Sequence, residues 1–229
     1  MAKIPQKPPT IMISSTVYGI EELLDRMYAV LTAFGYDVWC SHMGTLPTIS
    51  TLTAFENCIK AVEDCDLFLG LITPLYGSGI PAGQVSITHQ ELETAIRLRK
   101  PRWLLAHDHV VFARTLLRQL GHDTKEKRAA LINDDAVLKA FKRSRVIDDL
   151  RVIDMYEAAI RNDLDLADRE GNWVQKYAAD EDALRYATAQ FYRFQEVEAY
   201  LSEQLSNPAA VMRHVEGDRA RQLPQGGSQ

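Results

Sequence analysis

A chain of 229 residues, 46% hydrophobic and 25% charged, can bury one sizeable core and holds roughly one and a half domains at about 150 residues each. With 26 Lys and Arg against 31 Asp and Glu, the net charge of −5 argues against a nucleic-acid binder that works by neutralising phosphates. The one basic run, Lys139 to Arg145, is short and is followed by Asp148 and Asp149.

Cys40, Cys58 and Cys65 form no CxxC pair and leave an odd number, as suits reduced thiols in a cytoplasm. The first ten residues carry no apolar leader. The longest uncharged apolar stretch, Leu67 to Ile80, is broken by Pro74, Gly77 and Gly79 and falls short of the ~20 residues that span a bilayer. The expectation is a cytoplasmic protein with neither a membrane nor a nucleic-acid partner.

Taken in chain order, Thr10-Ile11-Met12-Ile13-Ser14 reads as a buried strand. A helix follows with Ile20, Leu23, Leu24, Met27, Leu31 and Phe34 on one face, closed by Gly35. Tyr36 to Cys40 is a second strand. Residues 41–50 form a loop, and Thr53-x-x-Glu56 is a capping box opening a helix with Phe55, Ile59 and Val62 on its apolar side. Cys65 to Thr73 is apolar on both alternating faces, as a central parallel strand should be. A glycine-rich loop (residues 77–83) leads to a helix from about Thr88 to Leu98, ended by Lys100-Pro101, and Trp103 to Ala106 is a further strand.

The second half is less regular. Residues 110–144 are helical in pattern, Val152 to Tyr156 fits either a strand or a helix start, and Gly171 to Tyr177 fits a short strand or a loop. Asp180 opens a long helical stretch reaching Leu205, and residues 207–229 read as a flexible tail. The alternation predicts an α/β fold: a doubly wound, flavodoxin-like parallel sheet of about five strands flanked by helices. One domain over residues 1–206 is expected, with a helical insertion at about 108–172.

In such a sheet, ligands bind beyond the carboxyl ends of the strands, where strand order reverses. That selects Ser14-Ser15-Thr16-Val17-Tyr18, Pro74 to Gly83, and His107-Asp108-His109. Three consecutive hydroxyls ahead of a helix suit a phosphate; capping that helix would account for one of them but not all three. Thr88 and Glu91 stand three apart at a helix start. They fit a capping box, or they place the Glu91 carboxylate in the cleft beside Ser14–Thr16, where it would stabilise positive charge at a ribosyl anomeric carbon. His107-x-His109 puts two imidazoles on one strand face; with no third ligand at a fixed spacing, no metal is expected.

Ile11 to Thr16, Cys65 to Gly70, Tyr76-Gly77-Ser78, Ser86-x-Thr88-x-x-Glu91-x-x-x-Ala95 and Lys100-Pro101 together resemble an uncharacterised bacterial TIR-like family. That family is itself similar to TIR domains and nucleoside 2-deoxyribosyltransferases. The likeness covers about residues 10–106, with weaker echoes at Asp149–Tyr156 and Gly171–Gln175. Thr88-His89 stands where eukaryotic TIR domains carry a tryptophan-cysteine dipeptide.

The resemblance implies an enzyme that cleaves the nicotinamide–ribose bond of NAD as its substrate, with no cofactor required. It further implies an ADP-ribose-type signal in anti-phage defence, an effector protein that responds to it, and a homo-oligomer. Glu91 would be catalytic. Ser14, Ser15, Thr16, Tyr18, Tyr76, Gly77, Ser86 and Thr88 would contact the substrate, and Asp66 would support the loop. A nucleoside deoxyribosyltransferase or hydrolase using the same glutamate, and a non-catalytic module that binds a nucleotide signal, are the alternatives.

Overall fold

The computed structural model describes residues 8–77, 85–131 and 146–194, with Lys139, Phe141 and Ser144 between. The expected tail and the end of the last long helix lie outside the described residues. Two compact units divide the chain, Met1–Thr188 and Ala189–Gln229. The sheet and every feature argued below belong to the first.

Five strands, β1 (Thr10–Ser15), β2 (Asp37–Cys40), β3 (Leu67–Ile72), β4 (Arg102–His107) and β5 (Val174–Tyr177), form one all-parallel sheet in the order β2-β1-β3-β4-β5. Strand order reverses between β1 and β3, so this is the doubly wound α/β arrangement. Both edge strands are short, four residues each. The helices among the described residues are α1 (Glu21–Ala33), α2 (Ala54–Asp64), α3 (Ile87–Arg97), α4 (Asp108–Gln119), α5 (Lys125–Leu131), α6 (Arg151–Ala159) and α7 (Asp180–Phe191).

Local chemistry sets most of the boundaries. Gly35, at φ +91°, takes the left-handed position just past the α1 C-cap, where a side chain would be strained. The Thr53–Glu56 capping box is present: the Thr53 hydroxyl accepts the Glu56 N–H, and the Glu56 carboxylate accepts the Thr53 N–H at 2.8 Å. The cap of α3 differs from expectation. Ser86, not Thr88, is the N-cap, its hydroxyl accepting the His89 N–H at 3.3 Å, so Glu91 lies beyond the reach of a capping box. The ambiguous stretch after Leu150 is helix: Val152, Met155 and Ala159 recur at helical spacing and are buried together.

Alternation along the strands sorts the core into two faces. Met12, Phe68, Ile72, Leu104 and Ala106 face one cluster with Val62 of α2, Leu92 and Ala95 of α3, Val110 of α4 and Ile153 of α6. Ile11, Ile13, Leu69, Leu71 and Leu105 point the other way and are equally buried. The segment between β4 and β5 is thus part of the core rather than an appendage. Its polar tie is Arg128, 2% exposed, whose Nη2 donates at 2.6 Å to both Asp154 and Glu157, while Arg114 Nε donates to Glu157 at 3.0 Å.

His107 ends β4 and caps α4, its Nδ1 accepting the His109 N–H at 3.2 Å. The two imidazoles therefore do not share a strand face as expected. They meet across a helix start, ring centroids 4.5 Å apart.

Gly70 sits on the crowded face of β3, where an added Cβ would come within 2.8 Å of Leu104 Cδ2 and 2.9 Å of Phe68 Cε1. Gly70→Ala is expected to destabilise the fold by about 1–3 kcal/mol through overpacking, read as a lower urea midpoint at unchanged m-value.

Candidate functional site

A cleft of about 390 Å³ opens at the carboxyl end of β1, beside the point where strand order reverses. Ser15 to Tyr18 form one wall. Ser86, Ile87, Thr88 and Glu91 of the α3 start form another, and Ser41, Cys58 and Gly77 complete the described lining.

Two periodicities bring the central pair together. Ser14 lies two residues after Met12, so it points to the face that α2 and α3 cover. On α3, Leu92 and Ala95 are fully buried against that face and fix the helix rotation, which turns Glu91 toward the strand end. The Ser14 hydroxyl donates to Glu91 Oε2 at 2.5 Å. Burial raises the Glu91 pKa above its ordinary value of 4.5, opposed by hydrogen bonds from Ser14 and from the Cys58 thiol. Cys58 is in turn pushed up to about 12 by burial and by the neighbouring carboxylate, so it stays a protonated donor. The product is a desolvated carboxyl group with Ser14 as its fixed donor, the Cys58 thiol beside it, and one side open to the cleft.

The hydroxyls expected to bind ligand divide their roles. Ser14 is committed to Glu91, and the Ser15 hydroxyl donates to the Thr16 carbonyl at 2.8 Å. Thr16 and Thr88 line the cleft with no hydrogen bond from their hydroxyls among the described residues. Tyr18, 61% exposed, stands at the rim. Gly77, at φ +88°, passes so close to Thr16 that a Cβ would lie 3.1 Å from its Oγ1. Among the described α-helices, α3 alone has no acidic residue in its first turn, which leaves its positive end unneutralised at the cleft. The α1 start carries Glu21 and Glu22, and Glu21 already accepts the Gly19 N–H.

Tyr76 lies behind the cleft rather than in it. It is 4% exposed; its phenol oxygen accepts the Ser86 N–H at 3.1 Å and contacts His89 Nδ1 at 2.9 Å. Burial lowers the His89 pKa to about 4, so the ring is neutral and carries one N–H; with that N–H on Nε2, 3.4 Å from Glu93 Oε1, Nδ1 is left to accept the Tyr76 proton. Asp148 accepts the Tyr76 N–H at 2.8 Å, and the Arg151 guanidinium sits 4.5 Å over the Tyr76 ring, its orientation fixed by Asp149 at 2.6 Å. The start of α6 thus braces the start of α3.

Asp66 is not brought to the cleft. It precedes β3 at the amino end of the sheet, where it accepts from Thr10 N at 2.8 Å and Thr10 Oγ1 at 2.9 Å, locking β1 beside β3. Cys58, Asp148 and Arg151 were not singled out as site residues by sequence reasoning. Of these, Arg151 falls within the Asp149–Tyr156 stretch, and Asp148 immediately precedes it. Two larger clefts, of about 530 and 560 Å³, lie against the C-terminal end of α3, away from the carboxyl ends of the strands.

Tyr76→Phe removes the Ser86 acceptor and the His89 donor together and is expected to cost about 1–3 kcal/mol in chemical denaturation. His89, with its pKa depressed, contributes stability that is full above pH 6.5 and lost as pH falls through about 4. His89→Gln should remove that component from the decline of the urea midpoint between pH 7 and pH 4.

No curated protein matches the chain. A family model, Domain of unknown function (DUF4062), matches residues 10–206, which takes in the whole sheet and the cleft. The chain belongs to the DUF4062 family.

Proposed function

We propose that the cleft binds a dinucleotide and that the protein is an NAD-cleaving enzyme acting at the nicotinamide–ribose bond. The observation that carries this reading is the Glu91 carboxyl group, withdrawn from water, held by Ser14 beside the Cys58 thiol, and open on one side to a cleft that the Thr16 and Thr88 hydroxyls line, at the start of a helix with no acidic residue in its first turn.

Breaking the bond leaves positive charge on the anomeric carbon, and a fixed carboxylate in a dry site stabilises it far better than water would. The bond electrons leave with the ring nitrogen of nicotinamide, which becomes neutral, so no acid need protonate the departing base. Glu91 is the one carboxylate among the described residues lining the cleft, which suits that requirement. Removing a neutral base from an ordinary nucleoside calls for a second, protonating group. Water then adds to the anomeric carbon, releasing a proton and giving ADP-ribose. An internal nucleophile at the same carbon would give a cyclised product.

The substrate's own charge assists. A pyridinium beside Glu91 draws its raised pKa back down and favours the ionised form in the complex. The diphosphate is assigned to the Thr16 and Thr88 hydroxyls and the first amides of α3, where the helix dipole is unopposed. The likeness of Ser86-x-Thr88-x-x-Glu91 to TIR enzymes and deoxyribosyltransferases supports the same assignment of Glu91. We further propose a homo-oligomer as the active form, with an effector protein reading the product.

The test is product analysis after incubation with NAD and, separately, with deoxynucleosides. Glu91→Gln is expected to lower NAD cleavage at least ~100-fold, the scale of losing a group that stabilises transition-state charge. Turnover of deoxynucleosides but not NAD would move the assignment to the transferase alternative; unchanged turnover in Glu91→Gln would remove Glu91 from its role. A stability readout separates chemistry from folding. Because the folded-state pKa of Glu91 is raised, the native state carries a cost that grows as pH climbs above the ordinary 4.5. Glu91→Gln should therefore melt higher than wild type at pH 8, the difference shrinking toward pH 4.5.

A further inference from the structure

The larger of the two clefts below α3, about 560 Å³, collects charge that the candidate active site does not use. Arg97, Arg99, Lys100, Arg102 and Arg161 line it, against two carboxylates, Asp168 and Glu170, a net of three positive charges. Surface arginines are ordinarily answered by nearby acids. Arg97, Arg99 and Arg161 have no ion pair among the described residues, in a chain whose overall charge is −5.

Three further observations show that this concentration is built. Arg102 enters from the first residue of β4, on the sheet face that α3 covers, and its Nε is buried without a hydrogen-bond partner among the described residues. Its Nη2 donates to the Glu170 carbonyl at 2.8 Å, and burial, with a smaller contribution from Arg161, lowers its pKa against the opposing pull of the Glu170 carboxylate. Second, Gly171 makes room for that guanidinium: a Cβ there would lie 2.5 Å from Arg102 Nη2. Third, Arg99 and Arg161 are the two non-glycine residues with positive φ among the described residues, at +52° and +54°. They follow the C-caps of α3 and α6, the position where glycine is the favoured residue. The chain accepts left-handed strain at two separate helix ends, and in both cases the residue placed there is an arginine facing the same cleft. Lys100-Pro101 and Glu170-Gly171, about seventy residues apart and unused by the cleft at the strand ends, converge here.

We propose that this cleft is a second binding site, for a small, multiply charged phosphate anion, distinct from the site around Glu91. Forked guanidinium donors suit phosphate oxygens, and an anion here would offset the net positive charge that Asp168 and Glu170 leave in the cleft. The site lies at the opposite end of α3 from Ser86 and Glu91, so its occupant bears on the helix that presents the candidate catalytic carboxylate.

The test uses the full chain and measures binding calorimetrically at low ionic strength with two probes, inorganic pyrophosphate and ADP. The double variant Arg99→Gly, Arg161→Gly removes two cations while putting glycine where the backbone favours it, so it folds at least as stably as wild type. Expected is saturable binding of at least one probe by wild type, weakened at least ten-fold in the double variant. Tighter binding of pyrophosphate identifies a free phosphate compound as the occupant; tighter binding of ADP identifies a nucleotide-borne phosphate. Equal affinity in wild type and the double variant, absence of binding at millimolar probe, or binding of a duplex oligonucleotide with neither small anion would each overturn the proposal.

Discussion

The hydrogen bond from Ser14 to Glu91 joins the end of β1 to the second turn of α3, and the remaining geometry of the cleft follows from the demands of that one contact. A carboxylate buried without donors would either take up a proton or destabilise the fold. Here the donor is the Ser14 hydroxyl at the strand end, and the Cys58 thiol of α2 stands beside the same carboxyl group. Three elements from different parts of the chain must therefore be in register at once. The supports further out serve the same end: Lys100 Nζ donates to the Glu63 and Cys65 carbonyls at 2.6 and 2.7 Å, tying the far end of α3 to the far end of α2.

A parallel strand ending in consecutive hydroxyls, followed later by a helix with a buried acid, is legible because both patterns are local. Alternation sends Ser14 to one face, helical spacing sends Glu91 with Leu92 and Ala95 to the same side, and the switch-point rule locates the meeting place. The α3 cap was less legible. Ser86 and Thr88 are both good capping residues, and the choice between them depends on Tyr76, whose phenol fixes the Ser86 N–H from ten residues upstream. Cys58 gave no local signal at all, since a half-buried cysteine on a helix looks the same whether or not a carboxylate lies opposite. Asp66 illustrates the converse: it accompanies the motif in sequence, yet one residue before β3 is a full strand length from the cleft.

The segment between β4 and β5 was the hardest to read. Runs of mixed charge such as Lys125 to Arg128 are what a solvated helix face carries, whereas Arg128 is among the most buried side chains described. Charge patterning alone does not distinguish a solvated arginine from one enclosed by Asp154 and Glu157, because the partners are 26 and 29 residues away. The role of α6 in holding Tyr76 likewise depends on contacts more than 70 residues long in sequence.

The rims of the sheet have a consequence for how copies of this chain can associate. Each is a strand of four residues, β2 with Asp37 exposed and β5 with Lys176 exposed. So short and charged a border offers little template for a neighbour's backbone, and extension of the sheet from one molecule into the next is disfavoured. Self-association of this unit is thereby directed to side-chain surfaces of the helices. Such contacts can repack without unzipping any strand, which leaves the central sheet unaltered whether the molecule is alone or assembled.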